Sequence, residues 1–187
     1  MKYSKKSLGQ NFLVDKNIIK KIVNLVDIRD KNIIEIGSGK GALTNEIIKK
    51  NPKFFTIIEK DYDLAASLKL RYLNNKNIKI YCDDILKFNI EELCLNNSII
   101  FGNLPYNISS QILIKFLKFK KWPPKFNNLV FMFQKELGEK IFGKFPSKNY
   151  GRLSIISNFR LKTIKKFTVS PNCFLPKPKV VSQVLHL

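Results

Sequence analysis

The parts of this sequence that can do chemistry are a glycine-rich turn, two acidic strand ends and an Asn-Leu-Pro-Tyr run. In Ile33-Ile34-Glu35-Ile36-Gly37-Ser38-Gly39-Lys40-Gly41-Ala42 the glycines follow directly on an apolar run. Glycine is needed where a backbone turns sharply and lies close against a ligand. The spacing G-x-G-x-G is not the G-x-G-x-x-G of dinucleotide folds, and it is not a P-loop, which needs G-K-[ST]. Gly37 and Gly39 therefore suit a nucleoside-containing cofactor rather than a triphosphate, with a plain strand-turn-helix as the alternative. Glu59 ends the next apolar run about 20 residues on, where an acid accepts hydrogen bonds from both ribose hydroxyls of an adenosine. Asp83-Asp84 follows the third run, where a carboxylate such as Asp84 can accept from an adenine amino group. Each acid alone reads as a solvated strand end. Glycine, acid and acid at three successive strand ends favour an adenosine site.

Phe101-Gly102-Asn103-Leu104-Pro105-Tyr106-Asn107 closes the fourth apolar run. An amino nitrogen on adenine is a poor nucleophile, because its lone pair is delocalised into the ring. It needs acceptors that hold both N–H bonds and favour pyramidal geometry. The Asn103 side-chain oxygen and a backbone carbonyl such as that of Leu104 can provide them. Pro105 fixes the backbone direction and removes a competing donor. Tyr106 offers an aromatic face for a base, worth roughly 1–3 kcal/mol. Standing alone, the same tetrapeptide would read as a rigid Asn-Pro turn.

These residues need a scaffold that brings strand ends together. Asp15 is placed to cap a helix with Ile18, Ile19, Ile22, Val23 and Val26 on its apolar face. Strands are expected over Asn32–Ile36, Phe54–Ile58, Ile78–Cys82, Ser98–Phe101 and Asn128–Phe133. Helices are expected from Ala42 to Lys50, through Leu64, Leu68 and Leu70, from Ser109 to Lys120 and over Tyr150–Phe159. Two last strands, near Leu161–Val169 and Val180–Leu187, flank a loop stiffened by Pro171, Pro176 and Pro178. Strand-helix alternation implies an α/β fold with a mostly parallel sheet and helices on both faces. The late strand pair, with no helix between its members, implies an antiparallel element at one edge.

At 187 residues the chain suits one domain, and no stretch reaches the ~20 apolar residues that cross a bilayer. No apolar signal core follows the basic start, so a cytoplasmic location is expected. Cys82, Cys94 and Cys173 are odd in number and far apart, which argues against disulfides and a zinc site. The only histidine, His186, stands near the end in an apolar strand and suits structure better than catalysis. Residues 1–110 carry 18 basic and 12 acidic side chains, a net of +6, whereas residues 111–187 carry 16 and 2, a net of +14. Codon bias can exchange Arg for Lys but does not remove acids. The surplus points to a polyanion, with nucleic acid as the default partner.

Together these segments resemble the KsgA-type ribosomal RNA adenine dimethyltransferases, which share a fold with the Erm methyltransferases and the mitochondrial transcription factor B proteins. The resemblance starts at Lys6-Ser7-Leu8-Gly9-Gln10-Asn11-Phe12-Leu13 and takes in Glu35–Gly39, Gly102–Ser109 and Gln134-Lys135-Glu136. It continues through Tyr150-Gly151-Arg152-Leu153-Ser154 and Phe174-Leu175-Pro176-Lys177-Pro178-Lys179-Val180. It implies a Rossmann-like fold with a seven-stranded sheet and one antiparallel edge strand. It also implies an S-adenosyl-L-methionine cofactor. Gln10, Asn11 and Leu13 would fold over that cofactor, Gly37 would approach its methionine end, Glu59 would hold the ribose and Asp84 the adenine. Asn103 would bridge cofactor and substrate, Tyr106 would stack on the target base, and Phe174 would form a second aromatic lid.

The implied reaction puts two methyls on each of two adjacent adenines near the 3′ end of small-subunit ribosomal RNA, as part of ribosome biogenesis. The partner is then the small-subunit precursor, bound by a monomer. Lys40 is more Erm-like than KsgA-like, which keeps a large-subunit enzyme conferring macrolide resistance as an alternative. A non-catalytic assembly factor is the other. Val181 replaces an acid common after Pro-Lys-Val. The chain reads as the catalytic domain alone, without the family's small helical C-terminal domain.

Overall fold

The computed structural model describes residues 9–187, so the Lys6–Leu8 part of the leading motif lies outside the described residues. The chain runs β1 (Phe12–Leu13), α1 (Lys16–Val23), β2 (Asn32–Ile36), α2 (Ala42–Ile48), β3 (Phe54–Glu59), α3 (Tyr62–Arg71) and β4 (Ile78–Cys82). It continues through α4 (Ile90–Leu93), β5 (Ser98–Asn103), α5 (Ser109–Leu117), β6 (Phe126–Gln134), α6 (Lys135–Ile141) and α7 (Arg152–Arg160). It ends with β7 (Lys165–Val169), β8 (Phe174–Leu175) and β9 (Ser182–His186).

Helices α1 and α3 start on side-chain caps. Asp15 Oδ1 accepts from the backbone N–H groups of Asn17 and Ile18 at 2.9 and 3.0 Å, satisfying donors that the first turn of α1 leaves unpaired. Asp61 does the same for α3, accepting from Asp63 N and Leu64 N. In α3 the buried face is made by Ala65 and Leu68, with Leu64 half-buried beside it. Leu70, expected on that face, is 77% exposed, because two residues beyond Leu68 lies well round the helix from it.

Seven strands form one sheet in the order β4-β3-β2-β5-β6-β9-β7. Strands β2 to β6 are parallel, and β9 runs antiparallel to both β6 and β7. The reversed strand is therefore second from the edge, and β7 is the outermost. The final strand pairs on both sides, which suits its burial at every position. β7 keeps exposed lysines on the rim. Alternation along the strands divides two cores. Ile34, Ile36, Ile100, Leu129, Phe131 and Phe133 face α5, whose Ile112, Leu113, Phe116 and Leu117 are buried there. Ile33, Phe55, Ile57, Ile99, Phe101 and Val130 face α1 and α2 through Ile19, Ile22, Val23, Leu43 and Ile47. Period-two alternation with both faces apolar is what a sheet covered on each side requires.

The order of strands reverses between β2 and β5, since β3 and β4 extend one way and β6 the other. A crevice forms at such a point outside the strands' C-terminal ends. Here the register pairs Ile36 with both Ile58 and Gly102, and Glu59 with Cys82, so Gly37, Glu59, Asp83 and Asn103 arrive side by side. Among the described residues no helix is long and apolar enough to cross a membrane.

Candidate active site

The glycine turn after β2 uses left-handed backbone at Gly37 (φ 68°), Gly39 (φ 57°) and Gly41 (φ 84°). A Cβ on Gly37 would stand 3.8 Å from Asn103 O and Pro105 Cδ, in the space between the two strand ends. On Gly39 it would meet the Phe12 ring at 3.0 Å. The turn is thus a cradle whose floor side chains would fill.

Glu59 crosses beneath that turn. Its Oε2 accepts from Gly39 N at 2.8 Å, and its Oε1 accepts from Asp61 N at 2.9 Å. Burial pushes its carboxyl above the usual range, and the two backbone donors oppose the shift. The Ser38 hydroxyl also donates to Oε2, at 3.5 Å, so Oε1 is the oxygen that keeps a lone pair for a further hydroxyl donor. Asp84 is placed differently. Its Oδ2 accepts from Lys60 Nζ at 2.9 Å and its Oδ1 from Leu86 N at 2.9 Å, and the Lys60 hydrogen bond holds its carboxyl below the ordinary value.

The segment 9–13 lies across the glycine turn as a strap. Gln10 Nε2 donates to Asp61 Oδ2 at 3.0 Å, the Asn11 carbonyl accepts from Asn103 Nδ2 at 3.0 Å, and Phe12 packs on Gly39 with Lys40 Nζ 4.8 Å from its ring centre. Leu13 then pairs with Phe174 in the two-stranded ribbon of β1 and β8. The cavity under the strap is walled by Gln10, Asn11, Leu13, Gly37, Gly39, Glu59, Asn103, Leu104, Pro105 and Tyr106. A second hollow, sharing Gly37, Glu59 and Pro105 with the first, extends it to Asp84. Phe174 is the one expected site residue outside both, buried at 3% exposure against Leu13 in the ribbon. The Tyr106 hydroxyl lies 2.6 Å from Ser182 Oγ at the start of β9.

Sequence reasoning singled out neither Glu35 nor Ser182. Glu35 lines the cavity, is 1% exposed, and accepts from Thr44 Oγ1 at 2.6 Å. Burial raises its pKa from 4.5 to about 8. The signal was an acid set within the otherwise apolar run Asn32–Ile36. Ser182 carried none, because its role depends on the end of β9 meeting Tyr106.

A family model described as ribosomal RNA adenine dimethylase matches residues 1–187. The chain belongs to that family. Its members are S-adenosylmethionine-dependent methyltransferases. The chain is 46% identical over 182 residues to the ribosomal RNA small subunit methyltransferase A of Pelagibacter ubique, covering 97% of this chain and 69% of that protein. Among solved structures it is similar to a dimethyladenosine transferase from Plasmodium falciparum, with a TM-score of 0.79 and 29% identity over 94% of this chain and 62% of the other. The 23S rRNA methyltransferase ErmE gives a TM-score of 0.74 and 26% identity over 94% of this chain and 68% of its own. This chain spans about two thirds of the length of these relatives.

Proposed function

We propose that the chain methylates the exocyclic amino groups of two adjacent adenines near the 3′ end of small-subunit ribosomal RNA, two methyls on each. The observation that carries the reading is the joining of Asn103-Leu104-Pro105-Tyr106 to the glycine cradle and Glu59 around one cavity. Bound S-adenosylmethionine would supply an electrophilic methyl group on a sulfonium, a good leaving group. The cradle of Gly37 and Gly39, the Glu59 carboxylate and the strap residues Gln10, Asn11 and Leu13 suit its methionine, ribose and covering contacts. Asp84 suits the adenine amino group by way of the second hollow, with Lys60 fixing the carboxylate.

The residues at the end of β5 would act on the target base. With Nδ2 committed to Asn11, the Asn103 amide presents Oδ1 as its acceptor. That oxygen and the Leu104 carbonyl would hold the two N–H bonds of the amino group and direct its lone pair at the methyl carbon. The bound cofactor would supply the methyl group to that nitrogen, with its sulfur as the neutral thioether leaving group. The methylated nitrogen then releases its proton to water. Catalysis here is orientation and electrostatics, without a strong base. The Tyr106 ring, steadied by Ser182, offers the stacking face, and the nucleotide would be turned out of its RNA structure to reach it. Phe174 can serve as a second lid only if the ribbon of β1 and β8 moves.

The similarity to the small-subunit methyltransferase of Pelagibacter supports the small subunit as substrate. Lys40 and the likeness to ErmE favour the large subunit instead, through a lower identity. Nucleoside analysis of treated RNA tests the chemistry: N6,N6-dimethyladenosine is expected, and methylation on any atom other than adenine N6 overturns the assignment.

A further inference from the structure

Away from the cradle, the edge of the sheet carries a concave surface between β7, the residues leading into it and the loop after α6. Its walls include Lys144, Lys162, Lys165 and Lys166, with Ser147 and Asn158 between them. Among the described residues none of these four lysines makes an ion pair. The one acid on this surface, Glu139, lies 3.8 Å from Lys135. Register fixes its place relative to the catalytic end. Lys165 pairs with His186, four residues along β9 from Ser182, whose hydroxyl meets Tyr106. At ~3.3 Å per residue Lys165 stands about 13 Å from that contact, and Lys166, opposite Leu185, about 10 Å. The loop on its far wall holds Phe145, 79% exposed, with its ring against Tyr150.

Lysines on an edge strand also discourage pairing with other chains. That accounts for Lys165 and Lys166 in β7. It does not account for Lys144 and Lys162, which lie outside the strand and face the same hollow.

We propose that this groove is a second RNA-docking surface, gripping phosphates of the substrate at a distance from the methylated base. The proposal rests on the reading of ribosomal RNA as substrate. Four unpaired ammonium groups around a polar hollow can exchange condensed counterions for backbone phosphates. Ser147 and Asn158 add neutral donors, and the exposed Phe145 ring gives an unpaired base a face to stack on. Phe142, Leu161, Ile164 and Leu185 also line the groove, but its four lysines against one acid, Glu139, give it the charge of a phosphate track.

The test compares K144A/K162A and K165A/K166A with a charge-matched control, K50A/K76A, in binding to unmethylated small ribosomal subunits over a salt series. Each groove variant is expected to lower the slope of log K against log salt by about 1 per lysine. Affinity should fall on the order of 10-fold at moderate salt. KM for subunits should rise while turnover at saturation and cofactor affinity stay unchanged, and the control should show much less. Groove variants that match the control in affinity and slope overturn the proposal. If K165A/K166A then aggregates, its lysines protect the edge instead. Wild-type binding that is weak and insensitive to salt also overturns it. Salt-sensitive binding that the groove variants lose, without any methyl transfer by wild type, would sink the methyltransferase reading and leave the groove standing.

Discussion

The side-chain amide of Asn103 donates to the backbone carbonyl of Asn11 across 3.0 Å, tying the end of β5 to the strap over the cavity. One amide thus anchors the cover with its nitrogen and leaves its oxygen for the substrate. Asn103→Ala is expected to lower single-turnover methyl transfer by about 10²–10³-fold, the scale of losing one well-placed polar group. Cofactor affinity should fall only several-fold, through the loosened strap. Equal losses in both measurements would mean that Asn103 serves the cofactor alone.

Gly37 and Gly39 should respond differently to alanine. Both sit at positive φ, where a Cβ costs roughly 1–2 kcal/mol. At Gly37 the added methyl occupies the cavity without a clash, so cofactor binding measured by calorimetry should suffer more than stability. At Gly39 the methyl presses on Phe12 at 3.0 Å, so the strap must shift as well. Greater protease sensitivity near residue 12 in G39A than in G37A is the expected sign.

The hydroxyl pair of Tyr106 and Ser182 separates stacking from support. Tyr106→Phe keeps the ring but leaves the buried Ser182 hydroxyl unpaired, a cost of about 1–3 kcal/mol. Adding Ser182→Ala should recover most of that stability in chemical denaturation. Methyl transfer by Tyr106→Phe should stay within a few-fold of wild type, whereas Tyr106→Ala should lose the roughly 1–3 kcal/mol of stacking. Tyr106→Phe falling as far as Tyr106→Ala would tie the hydroxyl itself to the reaction.

Glu35 gives stability a pH dependence of definite sign. Its folded pKa of about 8 lies above the ordinary value of 4.5, so between these values the folded chain keeps a proton that the unfolded chain has lost. Stability should therefore fall as pH rises through that window and level off above it. At 1.36 kcal/mol per tenfold the limit is roughly 5 kcal/mol. Glu35→Gln can still accept from Thr44 and should flatten most of this slope in melts between pH 5 and 9. An unchanged slope would show that Glu35 is ionised in its pocket.

Much of the frame was legible because burial on both faces of the sheet leaves long apolar runs. Asn32–Ile36, Phe54–Glu59 and Ser98–Asn103 are strands within a residue or two of expectation. The ribbon of β1 and β8 was invisible, since two-residue strands carry no periodicity. α6 was missed because Gly138 breaks its helical pattern. A side chain there would run into Gln183, with an added Cβ 2.3 Å from its Oε1. The site residues on strand ends could be read from spacing, whereas the Lys60–Asp84 and Tyr106–Ser182 contacts depend on three-dimensional neighbours. Phe174 shows the same limit: its aromatic identity is plain in the sequence, but its burial in the ribbon is not.

The most direct measurement is methyl transfer from labelled S-adenosylmethionine to unmethylated small ribosomal subunits, with large subunits in parallel and Asn103→Ala as the control. Label recovered as dimethyladenine in small-subunit RNA alone, and lost with Asn103→Ala, is the predicted result. Label in large-subunit RNA, or no transfer to either subunit with cofactor bound, would contradict the account.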